Sequence, residues 1–168
     1  MIPMAMSALG RFCQWLEQTS LSQLIQSLAW IVPTVQTVHI LAISAVAASA
    51  LMINLRLIGI AGADQSVQRV ARRFLPVIWW AMPVLLASGA VMIIGEPARS
   101  LQNPVFQLKM LLVVTALALT GTLHVRLDRD PAWGESGHIG RAAALWTAAA
   151  SLALWTGIVF AGRWIAYF

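Results

Sequence analysis

Residues 30–55 read WIVPTVQTVHILAISAVAASALMINL, a segment without an aspartate, glutamate, lysine or arginine. A hydrocarbon core about 30 Å thick needs about 20 residues of helix to cross it, so this segment is long enough to span a membrane. Lipid offers the backbone no hydrogen-bonding partner, whereas a helix satisfies its own backbone groups. The segment therefore predicts a transmembrane helix.

Three further apolar stretches of this kind lie at about residues 74–95, 104–125 and 142–167. Together the four predict an all-α fold, a membrane-spanning up-down four-helix bundle over residues 30–168. The chain has 168 residues, of which 60% are hydrophobic and 10% charged. That composition leaves room for one domain and none for a separate soluble catalytic module.

Residues 1–29 form an amphipathic segment rather than a uniformly apolar one. Apolar side chains recur at helical spacing over residues 9–16 and again over residues 21–28, with glutamine and serine between them. The phase breaks at Thr19 and Ser20, which predicts the end of one helix and the N-cap of the next. We expect this segment to lie in the headgroup plane, with a docking surface for a partner subunit as the alternative. The N-terminus lacks the basic region of a signal peptide, so we expect the first span to be retained.

The basic residues account for a formal charge of +5 and lie at the ends of the spans. Positive-inside topology and anionic headgroups explain this distribution, so no nucleic-acid partner is expected. The side that holds the loops after spans 1 and 3 carries seven arginines, three of them in the loop expected at residues 59–73, and the other side carries four basic residues. The count predicts a multi-pass membrane protein with the two arginine-rich loops in the cytoplasm and both termini outside, which means periplasmic termini if the membrane is a bacterial inner membrane. The seven are Arg56, Arg69, Arg72, Arg73, Arg126, Arg129 and Arg141; the four are Arg11, Arg99, Lys109 and Arg163.

Motifs of catalysis are missing from the sequence. Cys13 is the only cysteine, which excludes an intrachain disulfide, a Cys-x-x-Cys-His haem attachment and a thiolate metal cluster. There is no nucleophile–base pair, phosphate-binding glycine loop or zinc motif. The sequence therefore favours a non-catalytic subunit or an electron-transfer protein over an enzyme.

Two histidines, His39 and His124, invite the hypothesis of a haem held between them. Spans 1 and 3 run in the same direction in an up-down bundle, and the positions of Arg56 and Arg126 place the two histidines roughly 22 Å apart in depth at helical rise. Axial nitrogens must lie about 4 Å apart, twice the metal–nitrogen distance of roughly 2 Å. The pair therefore does not hold one haem. His124 instead groups with acidic residues near the end of span 3, where a solvated loop is the better interpretation.

The remaining candidate is a site around His39 in the outer half of the bundle. Gln36 lies about one turn away, and Met92 of span 2 reaches a similar depth. Lys109 stands near the start of span 3 and Arg163 near the end of span 4. Ionisable groups inside a span are costly and are functional candidates by default. For haem b, His39 and Met92 are the candidate ligands, with Lys109 and Arg163 paired to the propionates.

Other interpretations of the same residues stay open. Copper in its Cu(I) form suits the thioethers of Met82 and Met92 together with the His39 imidazole. A quinone is a third ligand for His39. Alternatively, His39 only hydrogen-bonds across helices, and Lys109 and Arg163 only extend towards the interface.

Three segments carry a family resemblance: Pro33–His39, residues 103–109 (NPVFQLK) and residues 161–168 (AGRWIAYF). They resemble an uncharacterised family of bacterial four-helix membrane proteins. Residues 103–163 are more loosely similar to the membrane domain of copper-resistance D proteins, which begin a helix with Phe-x-x-Lys, here Phe106 to Lys109. These proteins are close in architecture to four-helix b-type cytochromes, although this chain lacks the paired histidines of di-haem members. The resemblance implies the fold more than an activity.

These observations favour a small non-catalytic subunit of a redox assembly in the bacterial inner membrane, with a haem b or quinone site near His39. We expect the lipid bilayer and other membrane subunits as its partners. A copper-handling membrane protein and a purely structural accessory subunit are the two alternatives.

Overall fold

The computed structural model describes residues 8–62, 64–135 and 137–165. Within them the chain forms helices and no strand. The helices, in chain order, are α1 (Ala8–Glu17), α2 (Ser20–Ser27), α3 (Ile31–Ile58), α4 (Val67–Gly95), α5 (Pro97–Leu101), α6 (Pro104–Arg129) and α7 (His138–Trp164).

The four long helices α3, α4, α6 and α7 are each apolar and long enough to cross a membrane. The protein is therefore a multi-pass membrane protein, and the predicted all-α helical bundle is confirmed. Three helix ends lie within one residue of their predicted positions: the start of α3, the end of α4 and the start of α6. Pro104 opens α6 behind an Asn103 cap, whose side chain accepts from the Val105 amide at 2.9 Å, and Pro97 follows directly on the end of α4.

The bundle is most tightly packed towards the end that carries most of the arginines, which we call the arginine-rich end. α3 packs along α4 and α7, α6 packs along α7, and α4 meets α6 only sparsely. Buried apolar side chains from all four long helices form one core there. Towards the opposite end, Val35 and Leu112 are only partly buried, although Ile158 and Ala161 of α7 are buried. The opposite half of the bundle is thus the more open one.

The beginning of α4 differs from the expectation of a loop over residues 59–73. α4 starts at Val67, so Arg69, Arg72 and Arg73 lie on its first turns. The Ser66 side chain caps the helix by accepting from the Arg69 amide at 3.2 Å. Val67 and nearby apolar side chains are buried in the core while the arginines face outward. This stretch is therefore an amphipathic helix start, which a search for uniformly apolar spans does not detect.

The predicted amphipathic segment forms two helices with a break where it was expected. Thr19 caps α2 and accepts from the Ser22 amide at 3.3 Å, which confirms the predicted N-cap; residues 1–7 lie outside the described part of the chain. Large apolar side chains of α1 and α2, including Phe12, Leu21 and Leu24, are exposed. Because lipid is the surrounding solvent at this level, such a face suits the headgroup region.

α2 also packs on the last turn of α4. The Ser22 hydroxyl donates to the Ile94 carbonyl at 2.7 Å, and the Gln26 amide donates to the Gly95 carbonyl at 2.9 Å. The last carbonyls of a helix have no donor within the helix. The two side chains therefore supply the hydrogen bonds that α4 itself lacks, and they fix α2 at the open end of the bundle.

Candidate functional site

The site begins with a hydrogen bond between α3 and α4 inside the apolar region. Nδ1 of His39 lies 2.7 Å from the Ser88 hydroxyl oxygen. The imidazole also lies against Gly89, where a Cβ would come 3.7 Å from Cε1 of His39. Ser88 is buried and His39 partly buried. A methyl group at Gly89 would make an ordinary contact with the ring, whereas a larger side chain there would reach the imidazole.

The partners of Ser88 determine which ring nitrogen of His39 carries hydrogen. The Ser88 oxygen lies 2.6 Å from the Val84 carbonyl, an acceptor, so the single hydroxyl hydrogen is directed there. The hydroxyl oxygen then accepts from Nδ1 of His39. A neutral imidazole protonated at Nδ1 has its lone pair on Nε2. His39 therefore offers Nε2 as an acceptor or a ligand, held in place by Ser88 on its other nitrogen.

Lys109 brings a positive charge to the same half of the bundle. Its ammonium lies against α7 at Gly162, where a Cβ would be 3.8 Å from Nζ. Lys109 stands five residues from the start of α6, and His39 stands eight residues from the start of α3. At helical rise the two depths differ by only about 5 Å. The side chain is partly buried rather than extended into open surroundings.

The other predicted site residues take different positions around His39 and Lys109. Met92 lies one turn beyond Ser88 on α4 and is partly buried. Met82 lies six residues before Ser88, about 9 Å along α4 and about 120° round it. Gln36 is exposed one turn from His39, and Arg163 is exposed beside Gly162. The structure thus joins His39 to Ser88 by a hydrogen bond and places Lys109 in the same half of the bundle.

His124 lies at the arginine-rich end, away from this site. Its ring centroid is 6.4 Å from that of Trp79, and its Nε2 is 3.5 Å from Oδ2 of Asp128. Trp79 and Ser88 are nine residues apart on α4, about 14 Å at helical rise. Because His39 contacts Ser88 and His124 lies beside Trp79, this separation approximates the depth difference between the two histidines. It is smaller than the roughly 22 Å obtained from sequence counting, yet it far exceeds the roughly 4 Å between the axial nitrogens of a two-histidine haem.

Sequence analysis did not identify Ser88. A serine in an apolar helix usually bonds back to its own backbone, and Ser88 does so as well, which hides its second role. The available signal was Ser88-Gly89, a hydroxyl beside a residue that permits close helix approach. Among the residues that the structure describes, no group of three or more histidine, cysteine, aspartate or glutamate side chains is placed to hold a metal ion.

The site is therefore an oriented imidazole acceptor on α3 and an ammonium donor on α6 at similar depth, on two helices that have few direct contacts with each other. Comparison of the chain with models of protein families, with curated proteins and with solved structures gave no match.

Proposed function

We propose that this protein is a small subunit of a redox assembly in the bacterial inner membrane and that it binds a quinol between His39 and Lys109. The observation that carries the proposal is the 2.7 Å contact of His39 with Ser88, which leaves Nε2 of the imidazole as an acceptor. A quinol carries a hydroxyl group at each end of its ring. One hydroxyl donates to Nε2 of His39, and the oxygen of the other accepts from the Lys109 ammonium.

The chemistry of these two groups favours the reduced ligand. A quinone has only carbonyl oxygens, which need donors, and Nε2 of a neutral His39 has no hydrogen to give. A quinol hydroxyl satisfies that nitrogen. An unpaired polar group in a low-dielectric interior costs free energy, so the site stabilises the form that pairs both. We expect the quinol to bind more tightly than the quinone.

The openness of the bundle at this depth supports a lipid-soluble ligand. α4 and α6 meet sparsely, and the interior apolar side chains around His39 are only partly buried. A flat apolar ring entering from the bilayer would cover such side chains. Because the chain carries no catalytic motif, we expect a redox group of another subunit to accept the two electrons when the quinol is oxidised and its two protons are released, which gives the protein its place in a membrane complex.

Haem b is the second ligand that His39 suits, since a ligating histidine commonly has its other nitrogen hydrogen-bonded. A haem with His39 and Met92 as axial ligands would have to lie between α3 and α4, which are in contact at Gly89. That contact favours the quinol. For Cu(I), Met82 lies on another side of α4 from Ser88, so the site offers His39 and Met92 alone; the looser similarity to copper-resistance D proteins is what keeps copper as an alternative.

The proposal is tested on protein purified in a mild detergent from its native membrane. Quinones are extracted and quantified by chromatography with electrochemical detection, and the absorption spectrum and copper content are recorded on the same sample. We expect close to one quinone per chain, lost in His39→Gln and retained in His124→Gln. A Soret band would replace the quinol with haem, and bound copper would replace it with copper. Absence of all three would leave a structural accessory subunit as the function.

A further inference from the structure

A groove between α6 and α7 lies at the arginine-rich end, far from His39. It has a volume of about 420 Å³. Its described lining residues are mostly apolar or aromatic, and none is acidic. They are Leu119, Thr122, Leu123, Arg126, Trp133, Ala143, Trp146 and Thr147.

Arg126 is the charged group of this groove. Its guanidinium carbon lies 5.7 Å from the ring centroid of Trp133. Among the described residues, no carboxylate forms a salt bridge with it, whereas Arg56 and Arg99 each have one. The two threonine hydroxyls each donate to their own helix, Thr122 to Leu119 and Thr147 to Ala143, both at 2.8 Å. The groove therefore presents one positively charged donor group without an anion.

The shape of the groove indicates that an anionic ligand bound there also has an apolar chain. From Arg126 the lining runs back along α6 to Leu119, seven residues or about 10 Å into the span at helical rise. Trp146, at 77% exposed, forms an outer wall, and tryptophan is enriched where the headgroups meet the hydrocarbon. At this depth the surrounding solvent is lipid. A ligand with an anionic head and an apolar chain matches the charge at one end and the apolar wall behind it.

We propose that this groove binds an anionic glycerophospholipid, with its phosphate on Arg126 and one acyl chain along α6 and α7. Basic pockets between membrane helices select anionic headgroups, and the guanidinium supplies several donors to phosphate oxygens. The lipid would cover the seam between α6 and α7 next to the core. This site is independent of the ligand at His39.

Native mass spectrometry of the intact protein in detergent tests the proposal, using phosphatidylglycerol and phosphatidylcholine with identical acyl chains. We expect phosphatidylglycerol to bind more tightly and Arg126→Gln to weaken its binding about tenfold, since a hydrogen bond to a charged group is worth about 1.5 kcal/mol. Ala143→Phe, which fills the groove, should reduce the binding of both lipids. Because screening weakens a surface charge, the preference should also fall with salt.

Arg73→Gln is the matched control. Arg73 is an exposed arginine at the same end and lies over an aromatic ring, 5.6 Å from the centroid of Phe74, but it does not line the groove. Because it makes no contact with a lipid in the groove, it should change phosphatidylglycerol binding less than roughly twofold. Equal weakening by the two arginine variants would show a diffuse charge effect and overturn the site, as would equal affinity for both lipids. Competition by glycerol 3-phosphate, which has no acyl chain, would also overturn it in favour of a free-phosphate site.

Discussion

Gly59 leaves the space that the guanidinium of Arg141 occupies. A Cβ at Gly59 would stand 2.8 Å from Nη2 of Arg141. The same guanidinium donates to the carbonyls of Leu57 at 3.2 Å and Ile58 at 2.7 Å. These carbonyls belong to the last turn of α3, where the helix itself supplies no donor. Arg141 therefore closes the end of α3 from the start of α7, and Gly59, with φ of 90°, makes the turn that permits it.

Gly59→Ala should lower the free energy of unfolding by about 2 kcal/mol, because it adds left-handed strain and displaces a hydrogen-bonded guanidinium. Titration with a denaturing detergent, followed by circular dichroism, measures the loss. Gly62→Ala is the control, since Gly62 also has a positive φ, of 64°, but an added Cβ would meet only ordinary contacts, the nearest at 3.5 Å. Equal losses in the two variants would mean that Arg141 contributes nothing at Gly59.

Ser88→Ala should remove the acceptor that fixes the tautomer of His39. Nitrogen-15 spectra of protein labelled on its histidine rings should show an unprotonated Nε2 in the wild type and a mixture of tautomers in the variant. Loss of one interhelical bond in lipid is worth about 0.6 kcal/mol, so quinol affinity should fall roughly threefold. Ser44→Ala is the control, because that hydroxyl bonds only its own helix, at 2.9 Å from the Ile40 carbonyl. An unchanged His39 spectrum in Ser88→Ala would contradict the tautomer assignment.

Substitutions of two sizes at Gly89 should show whether ligand binding depends on the position of the His39 ring. A Cβ there meets Cε1 of His39 at 3.7 Å, an ordinary contact, so Gly89→Ala should keep both fold and ligand. Gly89→Leu should displace the ring and reduce quinone content well below that of the wild type, because close helix approach needs a small residue. The extracted quinone is again the measurement. Ligand retained in Gly89→Leu would show that the ring of His39 does not form the site.

The double variant Ser22→Ala and Gln26→Ala should release α2 from the end of α4. Two carbonyls of the last turn lose their donors, at a cost of about 1 kcal/mol each. Amide exchange in nanodiscs should become faster over α2 and the last turn of α4 while the core stays protected. Ser27→Ala, whose hydroxyl bonds Leu24 within α2 at 2.9 Å, should leave exchange unchanged. Unchanged exchange in the double variant would mean that lipid alone holds α2.

The sequence was most informative where a pattern is local. Runs of apolar residues predicted the four spans, and helical spacing with the break at Thr19 predicted α1 and α2. The start of α4 was missed because Val67–Arg73 mixes buried valines with exposed arginines, so its mean hydropathy is low although one face belongs to the core. Packing of α2 on the last turn of α4 depends on residues about 70 positions apart, which no local pattern encodes.

The candidate site was predicted in part for the same reason. A histidine inside an apolar run is visible in the sequence, and so is a lysine near a span's beginning. Which face of α4 meets His39 depends on the crossing of two helices, so Met92 and Met82 were both plausible ligands and Ser88 was not considered. Counting residues to the flanking arginines also gave a larger depth difference between His39 and His124 than their contacts with α4 indicate, because it assumes that Arg56 and Arg126 lie at one depth.

Orientation in the membrane is the last prediction, and the structure improves its test. With seven arginines on one side and four basic residues on the other, the positive-inside rule places residues 59–66 in the cytoplasm and both termini in the periplasm. Asp64 and Gln102 are exposed at opposite ends of the bundle, so Asp64→Cys and Gln102→Cys report the two sides. Cys13 is only 1% exposed and should label weakly. The variant Cys13→Ala, which has no cysteine, measures the background labelling. In intact cells whose outer membrane admits the reagent, an impermeant maleimide should label Gln102→Cys, and Asp64→Cys only after the inner membrane is opened. The reverse labelling pattern would mean that the bundle has the inverted orientation. His39 and Lys109 would then lie in the cytoplasmic half of the membrane, and a quinol bound there would exchange protons with the cytoplasm instead of the periplasm.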